Sequence, residues 1–141
     1  MLDQNTDLIG MIFQVSRLMK QKMVCPSDIQ QLSMMQTQTL GFLYQQKKAT
    51  MSEIANYLHI ELPSATSLVN KLVKQELAKR YSDPNDRRIV MIMLTEAGKK
   101  LLQQSLILRK KKLAQFLSYL TKQQKQELLT IMQTVKAHLD N

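Results

Sequence analysis

The sequence predicts a mainly α fold with one β-hairpin, an α+β class, and three observations carry that expectation. Apolar residues recur at spacings of three and four along most of the chain. Only three glycines and three prolines occur among 141 residues, too few turn residues for a sandwich or a disulfide-stapled scaffold. One charged, turn-rich stretch, Asp83 to Arg88, is flanked by short runs that suit strands. With 44% hydrophobic and 22% charged residues, the composition is that of a single ordinary domain, here expected to span residues 1–141.

The elements follow in chain order. From about Asp7 to Lys22, Leu8, Ile12, Val15 and Met19 form the stripe of an amphipathic helix, closed by the loop signal Cys25-Pro26-Ser27. A second helix is expected from about Ser33 to Gln46, weakened by Gly41, with Met35, Leu40, Leu43 and Tyr44 facing inward. Thr50 and Glu53 are spaced as a capping box, in which the hydroxyl takes the Glu53 amide proton and the carboxylate returns to the Thr50 amide. They open a short helix to about Leu58 whose inner face is Ile54, Ala55 and Leu58.

A fourth helix is expected from Glu61 to about Lys79, with Pro63 in its first turn, where a missing N–H costs nothing. At 100° per residue Leu62, Ala65, Leu68, Val69, Leu72 and Val73 share one face. Ser67, Asn70 and Lys74 lie opposite, flanked by Ser64, Thr66 and Lys71, and that face carries no acidic side chain before Glu76. Ala78 to Ser82 and Ile89 to Leu94 then read as two antiparallel strands around the turn Asp83-Pro84-Asn85-Asp86, with Arg87 and Arg88 at the tip. A long helix from Thr95 to about Leu120 carries the basic run Arg109 to Lys112. Thr121 and Gln124 give a second capping-box signal before a last helix in which Leu128, Met132, Val135 and Leu139 recur at 4, 3 and 4.

The formal net charge of +9 suits a polyanionic partner, yet its distribution tempers that reading. Residues 97–141 carry 9 basic and 2 acidic side chains, so most of the excess lies in the last third. An argument for nucleic-acid binding must come from where particular side chains point. The longest apolar run, Ile89 to Leu94, is far short of the roughly 20 residues that span a bilayer, so no membrane partner is expected. One cysteine forms no internal disulfide, and the opening MLDQNTD lacks the pattern of a secretion signal, which points to a reducing cytoplasm.

Two short helices joined by a tight turn and followed by a hairpin are the elements of a winged helix-turn-helix. The major groove of double-stranded DNA admits one helix, which must offer short hydrogen-bonding side chains to base edges and cations to phosphates. Ser64, Thr66, Ser67, Asn70, Lys71 and Lys74 meet that need. An arginine on a slim hairpin enters the adjacent minor groove, where narrow A·T segments concentrate negative potential.

Here the sequence is similar to the MarR/SlyA transcriptional regulators. Leu58-His59-Ile60 and Leu68-Val69-Asn70-Lys71-Leu72 resemble that family's recognition helix and the turn before it. Asp83-Pro84-Asn85-Asp86-Arg87-Arg88 and Leu94-Thr95-Glu96-Ala97-Gly98 resemble its D-x-R wing and the L-T-x-x-G start of the next helix. The resemblance implies a homodimer on a pseudo-palindromic operator, usually a repressor, often released by a small-molecule effector or an oxidant. It makes Arg88 the minor-groove arginine, Asp86 the carboxylate that orients it, and Arg87 a phosphate contact. Glu61 departs from the serine or threonine that often caps the family's recognition helix. The plain alternative for Asp86 and Arg88 is a solvent-exposed turn ion pair of little energetic weight.

The expected layout is a winged helix-turn-helix lobe over residues 33–96 and a helical dimerisation lobe from residues 1–25 and 97–141. Leucine-rich helices at both ends cannot bury their stripes in so small a unit, so Leu8, Ile12, Leu128, Met132, Val135 and Leu139 are expected to meet across a two-fold axis. Arg109 to Lys112 form a solvated face, or else attract DNA or an anionic ligand. Ten methionines suit flexible core filling, or else an adaptable effector pocket. Cys25 is a candidate redox sensor, though isolated cysteines are mostly passive. His59, His138 and one cysteine make a poor metal set, and no metal or cofactor is expected. No phosphate-cradling loop or nucleophile motif is present, which disfavours an enzyme. The remaining rival is a dimeric winged-helix scaffold for protein interactions without a specific operator.

Overall fold

A computed structural model describes residues 3–23 and 32–140. Its backbone contacts divide into two compact units, Met1–Leu106 and Ile107–Asn141. The element order is α1 (Gln4–Lys22), α2 (Met34–Gln46), β1 (Ala49–Thr50), α3 (Met51–Leu58), α4 (Leu62–Lys74), β2 (Ala78–Ser82), β3 (Val90–Leu94), α5 (Glu96–Leu117) and α6 (Lys122–Leu139). The mainly α reading with a hairpin therefore holds.

In the first unit, three helices begin with side-chain caps. Asp3 accepts from the Asn5 N–H in α1, and Ser33 with Gln36 and Thr50 with Glu53 form reciprocal capping boxes in α2 and α3. Each box satisfies donors that a helix start leaves without a partner. Both α3 and α4 end with a residue at positive φ, His59 at 53° and Glu76 at 59°. Behind them the Ile60 N–H reaches the Ala55 carbonyl at 3.1 Å, and the Leu77 N–H reaches the Leu72 carbonyl at 2.9 Å, the wide backbone bond of a left-handed helix stop.

The hairpin strands β2 and β3 are antiparallel, with Arg80 opposite Ile92 and Ala78 opposite Leu94. On its other edge β3 pairs with β1, Ala49 opposite Ile92, which gives a three-stranded sheet in the order β1-β3-β2. The two-residue β1 was not expected from sequence, because two residues show no alternation. Leu40, Leu43, Ile54, Ala65, Val69, Leu72 and Ile92 form the centre of the core beneath this sheet and α2 to α4. Phe42 of α2 stacks on Tyr57 of α3 with ring centroids 4.3 Å apart.

Three expectations need correction. Helix α4 ends at Lys74 rather than near Lys79, because the left-handed turn at Glu76 breaks it and the chain joins the sheet at Ala78. Tyr44 is 43% exposed: its ring lies under the Lys47 ammonium, 5.2 Å from the centroid, while Leu43 one residue earlier enters the core. Leu62 is 49% exposed, because the first turn of α4 stands clear of the sheet.

The start of α5 is clamped onto the α4–β2 turn. The Thr95 hydroxyl donates to the Glu76 carbonyl at 2.6 Å and accepts from the Gly98 N–H at 3.0 Å, while the Thr95 N–H donates to the Leu77 carbonyl at 3.1 Å. A Cβ added at Gly98 would lie 2.0 Å from the Leu77 carbonyl oxygen, so only glycine permits this approach. Leu101, Leu102 and Ser105 of α5 are buried one and two turns later.

In the second unit the Thr121–Gln124 capping box opens α6, as the sequence predicts. The α6 residues Leu128, Met132, Val135 and Leu139 are all exposed. Among the described residues no helix is long and apolar enough to cross a membrane.

Candidate nucleic-acid interface

The first layer of the site is the outward face of α4. Burial of Ala65, Val69 and Leu72 fixes the rotation of this helix, and by periodicity turns Ser64, Ser67, Asn70, Lys71 and Lys74 outward, all exposed. Thr66 is half-buried and donates its hydroxyl proton to the Leu62 carbonyl at 2.9 Å, so its oxygen faces a ligand chiefly as an acceptor. An open groove runs along this face between Leu62, Pro63, Thr66, Ser67, Asn70 and Lys74. Glu61 precedes the helix with no side-chain cap bond, so the first α4 amides are not satisfied by a capping side chain.

The second layer is the wing between β2 and β3. Its turn is built from two carboxylates that accept main-chain protons two residues on: Asp83 Oδ1 from the Asn85 N–H at 2.8 Å, and Asp86 Oδ1 from the Arg88 N–H at 3.0 Å. The Asp83 N–H donates to the Ile89 carbonyl at 2.9 Å, and the Ile89 N–H to the Asp86 carbonyl at 3.0 Å. Asp86 thus shapes the loop through the Arg88 backbone. Arg87 and Arg88 are exposed at the tip, as are Pro84, Asn85 and Asp86 before them.

A second open groove joins the two layers. It is lined by Thr50 and Ser52 at the start of α3, Thr66 of α4, Arg80 of β2, and Arg88 with Val90 at the foot of the wing. The structure therefore brings Arg88 to the same depression as Thr66. The linings of both grooves hold cations, hydroxyls and apolar groups, and no carboxylate.

Arg80 escaped the sequence reading. It lies two residues from buried Ala78 and opposite buried Ile92, hence on the helix-facing side of the sheet. From there its Nη2 donates to Asn70 Oδ1 on α4. Strand parity was the available signal, since Ala78, Arg80 and Ser82 must share a face.

The other candidates are not among the residues that line these grooves. Leu8 and Ile12 of α1 are exposed within the first unit, and Leu128, Met132, Val135 and Leu139 of α6 within the second. Cys25 lies outside the described residues. His138 Nδ1 is 2.8 Å from the Thr134 carbonyl, and His59 closes α3. Among the described residues no group of three or more His, Cys, Asp or Glu side chains is arranged to hold a metal ion.

Residues 30–89 match the MarR family, a span that contains α2, the helix-turn-helix and the wing up to its last tip residue. The uncharacterized HTH-type transcriptional regulator YhbI of Bacillus subtilis is 37% identical over 65 residues, which cover 46% of this chain and 42% of YhbI. The aligned part of this chain thus spans less than half the length of that relative. The crystal structure of the YusO protein from Bacillus subtilis shares the fold, with a TM-score of 0.82 at 23% identity over 97% of this chain and 98% of that one. A MarR mutant from E. coli, complexed with operator DNA, superposes with a TM-score of 0.66 at 26% identity over 92% of this chain and 91% of the other. Family match, shared fold and the arginine-tipped wing agree: over residues 30–89 the chain is similar to the MarR family, and it has the winged helix-turn-helix fold of the structures it superposes on.

Proposed function

We propose that this chain is a transcriptional regulator that binds double-stranded DNA, with α4 in the major groove and Arg88 in the minor groove. The observation that carries the reading is the groove in which Thr66, Arg80 and Arg88 converge beside the exposed polar face of α4, without a carboxylate in its lining. Ser64, Thr66, Ser67 and Asn70 offer hydrogen bonds to base edges, and Lys71, Lys74 and Arg87 offer charge to phosphates. A MarR mutant from E. coli that shares the fold is complexed with operator DNA, which supports DNA as the partner.

The working form is a homodimer in the cytoplasm. Exposed stripes on α1 and α6 support it, because contiguous apolar faces of this kind ordinarily mark an interaction surface. Residues 1–25 and 97–141 would supply the dimer lobe and residues 33–96 the DNA-binding lobe. Two recognition helices about 34 to 36 Å apart then read successive major grooves of a pseudo-palindromic operator. Repression follows from occupying a promoter, and a small ligand, or an oxidant acting on Cys25, releases the protein by favouring another spacing of the wings. Such release is limited by the effector's preference between the two states.

Selection of bound duplexes from a random library at physiological salt tests this reading. An inverted repeat with half-sites about one helical turn apart is expected. Salt-sensitive capture of unselected sequences would instead favour a dimeric scaffold for protein partners.

A further inference from the structure

Asn70 occupies the middle of the outward face of α4, and its amide is already engaged. The Arg80 guanidinium, fixed on the neighbouring strand, donates from Nη2 to Asn70 Oδ1. Because a guanidinium has donors and no acceptor, this contact fixes the amide orientation: oxygen toward Arg80, NH2 away from it. Arg80 is held where it can do this by the β2–β3 register, and it also lines the groove that contains Thr66 and Arg88.

A free asparagine reads adenine through two bonds, accepting from N6 and donating to N7. With its oxygen turned to Arg80 and one of its two lone pairs taken, the Asn70 side chain presents chiefly its NH2 donors to the groove, and the remaining guanidinium N–H groups beside it are donors too. Guanine presents two acceptors, N7 and O6, in the major groove, whereas adenine presents one acceptor and an amino donor that would face like polarity. We propose that Arg80 is a specificity-determining positioning residue that turns Asn70 from an adenine reader into a guanine reader. This inference rests on the DNA-binding reading above and names what that site selects.

The test compares duplexes selected by the full chain, Asn70→Ala and Arg80→Met. The base pair whose preference disappears in Asn70→Ala marks the position that Asn70 reads. There the native chain is expected to enrich guanine over adenine by at least about fivefold, the low end of a good two-bond base contact. Arg80→Met, which keeps side-chain length and removes the donors, should bring that ratio to one or below while the other positions keep their preferences. Overall affinity is no substitute readout, because losing any cation weakens binding to all DNA. Arg80 is exposed, so a thermal melt matching the native chain is expected to accompany the change. Adenine enriched by the native chain, guanine retained by Arg80→Met, or no position altered by Asn70→Ala would each overturn the proposal while an enriched inverted repeat leaves the DNA-binding reading standing. Absence of any enriched repeat with the native chain would overturn both.

Discussion

Helices α4 and α6 carry apolar stripes of the same kind, and the two stripes have opposite fates. In α4, Ala65, Val69 and Leu72 are fully buried at 0% exposure. In α6, Leu128, Met132, Val135 and Leu139 recur at the same three- and four-residue spacings and stay 37% to 80% exposed. The α4 stripe is covered by the hairpin and by α2 and α3, which the chain supplies within a few tens of residues. Periodicity thus says that a face needs cover, and says nothing of which element, or which molecule, covers it.

Cutting one leucine from each region separates a covered stripe from an uncovered one. Leu40→Ala in the buried core should cost about 2 to 5 kcal/mol of unfolding free energy by chemical denaturation, through lost transfer energy and a cavity. Leu129→Ala, at an exposed position on α6, should change the same measurement by less than about 0.5 kcal/mol when the protein is dilute. Equal losses would mean that α6 is already covered in the isolated chain, and the contrast would collapse.

A charge on the exposed stripe tests what covers it. Leu128→Asp is expected to sediment as a monomer and to lose about a hundredfold or more in operator affinity, since the second half-site no longer gains from the first. A variant that sediments as an intact dimer would remove Leu128 from the interface. The winged unit has its own tight point at Gly98, where a Cβ would strike the Leu77 carbonyl. Gly98→Ala should lower stability by about 1 to 3 kcal/mol, an overpacking cost that backbone movement relieves only in part. An unchanged melting temperature would show that the α5 clamp is looser than its bonds indicate.

The smallest effect belongs to the surface of α5. A hydrogen bond from Lys99 Nζ at 2.7 Å, reinforced by its charge, holds the Glu96 carboxyl below its ordinary range. A lowered folded value means that this contribution is present above the unfolded pKa and is lost as pH falls through the folded one. Glu96→Gln should therefore flatten the acid end of the stability profile slightly and leave neutral melting almost unchanged, because water screens both exposed partners. A clear neutral-pH loss would give the pair more weight than its exposure allows.

The helix-turn-helix was legible because its signals are local. Thr50 with Glu53 and Thr121 with Gln124 lie three residues apart, and each box formed as the spacing required. Ser33 with Gln36 formed a third of the same kind. Asp83 and Asp86 signalled the wing through main-chain bonds two residues long. The outward residues of α4 followed from the three that point inward. Arg80 did not follow, because its place beside Asn70 depends on the orientation of a strand relative to a helix ten residues earlier.

By itself, the sequence determined the element types, their order, most of their ends and the polar face that α4 turns outward. Those features depend on bonds and spacings within about four residues, which any sequence window contains. The tertiary structure decided that β1 joins the sheet, that Gly98 passes under the Leu77 carbonyl, that Tyr44 and Leu62 stay exposed, and that Arg80 meets Asn70. Each of those outcomes depends on how separate elements pack and register against one another, and packing responds to the whole core at once.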